Sequence, residues 1–157
     1  MTRARVLSAR LLARDLPDCR WELAEDLIVD LGTRVHELHR WQREHLAAGY
    51  PPKLSRVAYS DTGSTLLTVF AGLVTDFSSI PILAQLVMGP KDSFKAAGAA
   101  HDPLYFECAP RDAADLVWWI VARAGHPHVS STQAWLGYRA LRLFGGLTYG
   151  RYQRARG

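Results

Sequence analysis

Apart from one inserted helix, the chain changes its hydrophobic period at "TDFSSIP" (residues 75–81), and that change restricts the possible folds more than any other feature. Before it, apolar residues alternate or come in short runs between turn signals, as in strands; after it they recur at helical spacing. "RWELAEDLIVDLGTRV" (20–35) reads as one strand or two joined by a turn. "LSRVAYS" and "TLLTVFAGLV" flank the corner "DTGS" and form a hairpin over residues 54–74. Between them a helix is predicted near 34–48, with Val35, Leu38 and Leu46 on its apolar side and "GYPP" as its stop. Downstream, helices are predicted over 81–87, 94–107, 111–125 and 132–146, the last ending at Gly145 or Gly146. Asp92 or Ser93 caps the second of these and Ser130 or Ser131 the fourth, while Pro103 kinks the second or shifts its first turn toward His101. The class is therefore α+β: a small N-terminal antiparallel sheet followed by a bundle of three to four helices. The 157 residues suffice for a single domain, with residues 1–75 mainly strands, 76–146 helical and 147–157 a basic tail.

Composition excludes several classes. With 48% hydrophobic and 22% charged residues the chain is not a disordered tail protein. No apolar run approaches the ~20 residues that cross a bilayer. Arg3, Arg5, Arg10 and Arg14 interrupt what would be the apolar part of a secretory signal, so none is expected. Two cysteines, Cys19 and Cys108, make no disulfide scaffold. The net charge is +4, and no acidic residue follows Asp115. Beyond it Arg123, Arg139, Arg142, Arg151, Arg154 and Arg156 interleave with Trp118, Trp119, Trp135, Tyr138, Tyr149 and Tyr152. Segment 117–156 reads either as a phosphate-facing or acid-facing surface, or as a buried aromatic stripe with a solvated arginine face.

The chemistry-bearing stretch is "AAHDPLYFECAPRDAADLVWW" (99–119). If its two helices are antiparallel about a corner at Cys108 and Ala109, His101, seven residues before Cys108, lies level with Asp115, seven after. Tyr105, four residues after His101, shares its face and can reach the same carboxylate. An imidazole oriented by a carboxylate is a suitable general base, which gives His101, Asp115 and Tyr105 as a catalytic set. Asp102 points ~100° around the helix, toward a metal ion or a substrate. Asp112 falls in the first turn of its helix, where the dipole favours it. The competing reading is a buried polar network that fixes helix packing and does no chemistry. "TDFSSIP" forms a second candidate site, in which Thr75, Asp76 and Ser79 offer oxygens for a substrate or cation, or simply cap the next helix. A zinc site joining His126 and His128 to His101 is disfavoured by ~15 Å of helix. His36, His39 and His45 lack the HExxH pattern and are expected to be exposed.

"LVTDFSSIP", "HDPLY", "RDAAD" and "RLFG", in that order over about residues 71–145, resemble a family of small tailed-phage and prophage proteins, domain of unknown function family 1353. The first 50 residues match it poorly, and the helix around His36 to Leu46 looks like an insertion. The resemblance implies an α+β fold and a phage origin but no reaction. More distantly, H-D-x-x-Y on one helix with an aspartate on the next resembles phospholipases of the A-two class. In this chain that would make His101 the base, put Asp102 on calcium and have Asp115 and Tyr105 orient His101. The glycine-rich calcium loop is absent, and the oxygen it would give is expected from Asp76. The expectation is a phage hydrolase acting at the host envelope on a lipid ester, with synthesis in the host cytoplasm and a final place in the virion or envelope. Its partners would be an anionic membrane surface or other phage proteins, with nucleic acid third. The alternative is a non-catalytic tail component or host-factor-binding protein.

Overall fold

A computed structural model describes residues 5–7, 13–16, 20–75, 94–124 and 129–156. Strands β1 (Arg5–Val6), β2 (Ala13–Asp15), β3 (Trp21–Leu23) and β4 (Leu27–Asp30) precede helix α1 (His36–Ala47). Strands β5 (Ser55–Tyr59), β6 (Thr65–Val69) and β7 (Val74–Thr75) follow, then α2 (Lys95–Phe106), α3 (Arg111–Ala124) and α4 (Ser131–Arg156). The architecture is α+β, as the change of period predicts. The helix predicted over 81–87, and the caps at Asp92 and Ser93, lie outside the described residues.

One sheet runs β1-β4-β6-β5 and the other β2-β3-β7, with every pairing antiparallel. In the first, the registers Leu27↔Val69 and Val29↔Leu67 put four apolar side chains on one face, and Val57 pairs with Leu67 on the same side. All five are buried. Helix α2 lies across β4 and β6, α1 leans on β5, and α3 reaches β1, so the sheet's apolar face and the helices close one core.

The strand expected over 65–74 is two strands in different sheets. After Val69 the chain turns at Gly72, whose φ of +83° suits a residue without Cβ. The amide of Gly72 donates to the Leu23 carbonyl (2.7 Å), and Leu23 donates to Leu73 (2.8 Å). This crossing brings β7 beside β3 and carries Thr75 toward α2.

Helix α2 starts at Lys95, well before His101, and runs through Pro103 to Phe106. It ends in a Schellman motif: Cys108 takes φ of +56°, its amide donates to Tyr105 (3.1 Å), and the Ala109 amide donates to Leu104 (2.8 Å). Pro110 follows, and the chain reverses into α3. Ser130 caps α4, accepting from the Gln133 amide (3.2 Å) while the Gln133 side chain accepts from the Ser130 amide (3.1 Å).

Three sequence expectations fail here. Helix α4 does not stop at Gly145 or Gly146; it continues to Arg156, so the expected basic tail is helix. A Cβ on Gly145 would lie 2.7 Å from the Tyr105 hydroxyl, and one on Gly146 would lie 2.9 Å from Arg111 Nη1. These glycines permit close approach inside a helix. The second failure is His39, which is buried: its Nε2 is 3.1 Å from Thr65 Oγ1 and its ring stacks on Tyr59 at 3.6 Å. Trp41 takes the inward position assigned to Leu46, which is exposed. Among the described residues no helix is long and apolar enough to cross a membrane.

Candidate functional site

The corner at Cys108 sets α2 and α3 antiparallel, and helical pitch then does what the residue count predicts. His101 Nε2 lies 3.4 Å from Asp115 Oδ1, and the Tyr105 hydroxyl donates to the same oxygen at 2.5 Å. The tyrosine bond is the tighter one; the histidine contact is long for a hydrogen bond and acts mainly through charge. The rings of His101 and Tyr105 are 4.0 Å apart, one helical turn from each other.

Asp102 does not point away toward a separate ligand. Its Oδ1 lies 3.1 Å from His101 Nδ1, and its Oδ2 accepts from the Thr75 hydroxyl delivered by β7. His101 therefore stands between two carboxyl groups, one at each ring nitrogen. An acceptor at both nitrogens calls for a proton on both, which is the imidazolium form. Burial alone would lower the His101 pKa, but the hydrogen bonds and charges of Asp102 and Asp115 outweigh it, and the net direction is upward from 6.5. For Asp115 burial pushes upward, and the bonds from His101 and Tyr105 with the charges of His101 and Arg111 reverse it, leaving the pKa below its usual value. Burial and the neighbouring Asp115 hold the Tyr105 phenol above its ordinary range. His101 and Asp115 are 0% exposed, Asp102 and Tyr105 1%.

A third helix completes the cluster. Arg142 of α4 donates through Nη1 to Asp115 Oδ2 (3.1 Å) and also pairs with Asp112, which lies on the rim in the first turn of α3. Arg111 Nε stands 3.6 Å from Asp115 Oδ2. The Arg111 Nη2 donates to the carbonyls of Leu141 (2.8 Å) and Arg142 (2.6 Å). In a helix those carbonyls accept from residues 145 and 146, and both are glycine, so the guanidinium reaches the backbone unobstructed. The sequence reading gave Arg111, Gly145 and Gly146 no part in the site, and for Arg142 left open a phosphate- or acid-facing surface or a solvated arginine face. The signal available was the Gly-Gly pair three residues after an arginine, which also spells a helix stop.

Glu107 is a third buried acidic residue, and the sequence reading passed over it. It accepts from the amides of Lys53 and Leu54 (2.7 Å for the latter) and from the Ser55 hydroxyl (2.7 Å), tying the end of α2 to the start of β5. Of the proposed second site only Thr75 is described, and it belongs to the His101 network; Asp76 and Ser79, like His126 and His128, lie outside the described residues. A calcium ion does not fit the described part of its expected site, because both Asp102 oxygens are engaged by protein side chains and the group is buried. Among the described residues no group of three or more His, Cys, Asp or Glu side chains is arranged to hold a metal.

A family model described as "Protein of unknown function (DUF1353)" matches residues 54–141. The match runs from the start of β5 into α4 and contains the whole network except Arg142 and the two glycines. No curated protein and no solved structure matches the chain.

Proposed function

The chain belongs to the DUF1353 family of proteins of unknown function, and from the geometry of its network we propose that it is a non-catalytic phage or prophage protein, either a structural part of the tail or a factor binding a host protein. The observation that carries this reading is that both ring nitrogens of a fully buried His101 face carboxyl groups. A general base needs a free nitrogen lone pair directed at water or substrate. His101 offers none in this arrangement, and its raised pKa favours the protonated form. The phage origin rests on the ordered motif resemblance of residues 71–145.

A second reading has one specific observation in its favour. His101, Tyr105 and Asp115 converge across antiparallel helices, the arrangement implied by the resemblance to phospholipases. A lipid-ester hydrolase of this kind requires Asp102 to release Nδ1. The test is incubation of the protein, beside His101→Ala, with mixed anionic and zwitterionic vesicles, in calcium and in chelator, with released fatty acid measured by mass spectrometry. The scaffold reading expects no release, and nitrogen NMR showing His101 protonated at both nitrogens near neutral pH. Release by the wild-type protein that His101→Ala lacks overturns it.

A further inference from the structure

Helix α4 has two faces of unequal character. Its inner face carries Ala134, Ala140 and Leu141, all buried, with Tyr138, Tyr149 and Tyr152 packed against the core. The outer face of such a helix is ordinarily polar. Here it presents Trp135 (53% exposed), Leu143 (69%), Phe144 (53%) and Leu147 (76%). Arg139, Arg151 and Arg154 are exposed among them, and the Arg139 guanidinium lies 5.8 Å from the Trp135 ring centroid. Trp135, Arg139, Leu143, Leu147 and Arg151 follow one another at four-residue steps, a ridge ~24 Å long that winds ~160° around the helix. Residues 116–157 hold six arginines and neither lysine, aspartate nor glutamate.

Three occupants compete for this face, and charge and order decide among them. A second copy of α4 would bring arginine against arginine with no carboxylate on the segment to pair with them. A groove on an acidic protein favours apolar anchors in one uninterrupted stripe; here it would have to bury Arg139 between Trp135 and Leu143. The interface of an anionic bilayer accepts both kinds of side chain at one depth, because apolar groups enter the acyl boundary while arginine stems lie along it and their heads reach lipid phosphate. We propose that the outer face of α4, through Leu143 and Leu147 with Arg139 and Arg154 on the same arc and Trp135 and Phe144 at its two edges, docks on the surface of an anionic lipid bilayer. The docking does not depend on whether the His101 network is catalytic.

The test is flotation of the full chain with vesicles of phosphatidylglycerol and phosphatidylcholine, beside vesicles of phosphatidylcholine alone. Binding is expected to the anionic vesicles and to weaken as salt rises. Loss of Leu143 and Leu147 together (Leu143→Ser, Leu147→Ser) is expected to weaken it by about tenfold or more, and Arg139→Gln, Arg151→Gln, Arg154→Gln by about a hundredfold. All five side chains are exposed, and circular dichroism of each variant verifies the fold. A measurement without those variants uses brominated lipid: Trp135 emission, taken as the difference from Trp135→Phe, is quenched if the face inserts. Absence of binding at low salt overturns the proposal, as does unquenched Trp135. So does a concentration-dependent dimer in sedimentation that the leucine variants abolish, which would reassign the face to self-association.

Discussion

Gly145→Ala sets two well-characterised effects against each other. In an unobstructed helix the change is stabilising by ~1 kcal/mol, because alanine loses less backbone freedom. In α4 the new methyl carbon would stand 2.7 Å from the Tyr105 hydroxyl and 3.6 Å from two ring carbons. Tyr105 is 1% exposed and donates to Asp115 at 2.5 Å, so it has no free rotamer to adopt. If the helix backs away, the overpacking costs ~1–3 kcal/mol. If Tyr105 yields, a bond to a charged acceptor worth ~1.5–3 kcal/mol is lost. After subtraction of the helix gain, the expected net loss is ~0–2 kcal/mol, a fall of up to about 8 °C in Tm for a chain of this length. Gly150 is the internal control, since the nearest atom to its added Cβ is Arg154 Nη1 at 3.6 Å, the mobile end of a side chain. Gly150→Ala should therefore keep most of the helix gain and stabilise by ~0.5–1 kcal/mol. Urea and thermal unfolding followed by far-UV circular dichroism give both numbers. A Gly145→Ala protein stabilised as much as Gly150→Ala would refute the claim that Gly145 exists for the approach of Tyr105.

Further expectations concern the charges. Because the folded pKa of His101 is raised above 6.5, its stabilisation is complete below that value and is lost as pH climbs through the folded pKa. Because that of Asp115 is depressed below 3.8, its contribution holds above that value and disappears as pH falls through the folded pKa. Urea midpoints against pH should thus form a plateau between the two limits, and His101→Gln should flatten its alkaline limb; an unchanged limb would exclude His101 as its source. Asp115→Asn should cost ~3–5 kcal/mol by removing the buried charge that His101, Tyr105, Arg111 and Arg142 share. Asp112→Asn, at an 85% exposed side chain, should change stability by no more than ~0.5 kcal/mol, and equal effects in the same denaturation assay would contradict the assignment of Asp115 as the central group. Glu107→Gln should lose ~1.5–3 kcal/mol. Hydrogen exchange should speed up at the amides of Lys53 and Leu54; unchanged protection there would show that Glu107 does not hold β5.

How much of this was legible in the sequence depended on how far each feature reached along the chain. The levelling of His101 with Asp115 follows from helical pitch and a corner at Cys108, both local, and it holds. The inward turn of Asp102 was not legible, because the character of that helix face depends on Thr75. Thr75 arrives only because Gly72 moves the chain from one sheet to the other. His39 is hidden for the same reason: its burial requires Thr65 and Tyr59, residues of a hairpin that the period of α1 says nothing about. In α4 the same glycines that signal a helix end serve instead as space for Tyr105 and Arg111. Only the packing of α2 and α3 against α4 distinguishes the two uses.

That packing also explains why charge is kept in the core. Buried ion pairs contribute little net stability once desolvation is counted, and often less than an apolar replacement. Their stronger effect is on the alternatives. Asp115 contacts α2 through His101 and Tyr105 and α4 through Arg142, so a displaced α4 takes one cation away from a buried carboxylate. A slip by four residues puts Tyr138 or Gly146 in the place of Arg142, removing the cation, and puts Leu141 or Tyr149 in the place of Gly145, against the Tyr105 hydroxyl. A slip by three that brings Arg139 to Asp115 also carries Arg142 into the space that Gly145 leaves open; the opposite slip brings Gly145 to Asp115 and leaves no cation there. Among these registers, only the observed one supplies an arginine at the first position and a glycine at the second. The network thereby fixes the height at which α4 sits on the other two helices, and with it which residues the helix turns outward.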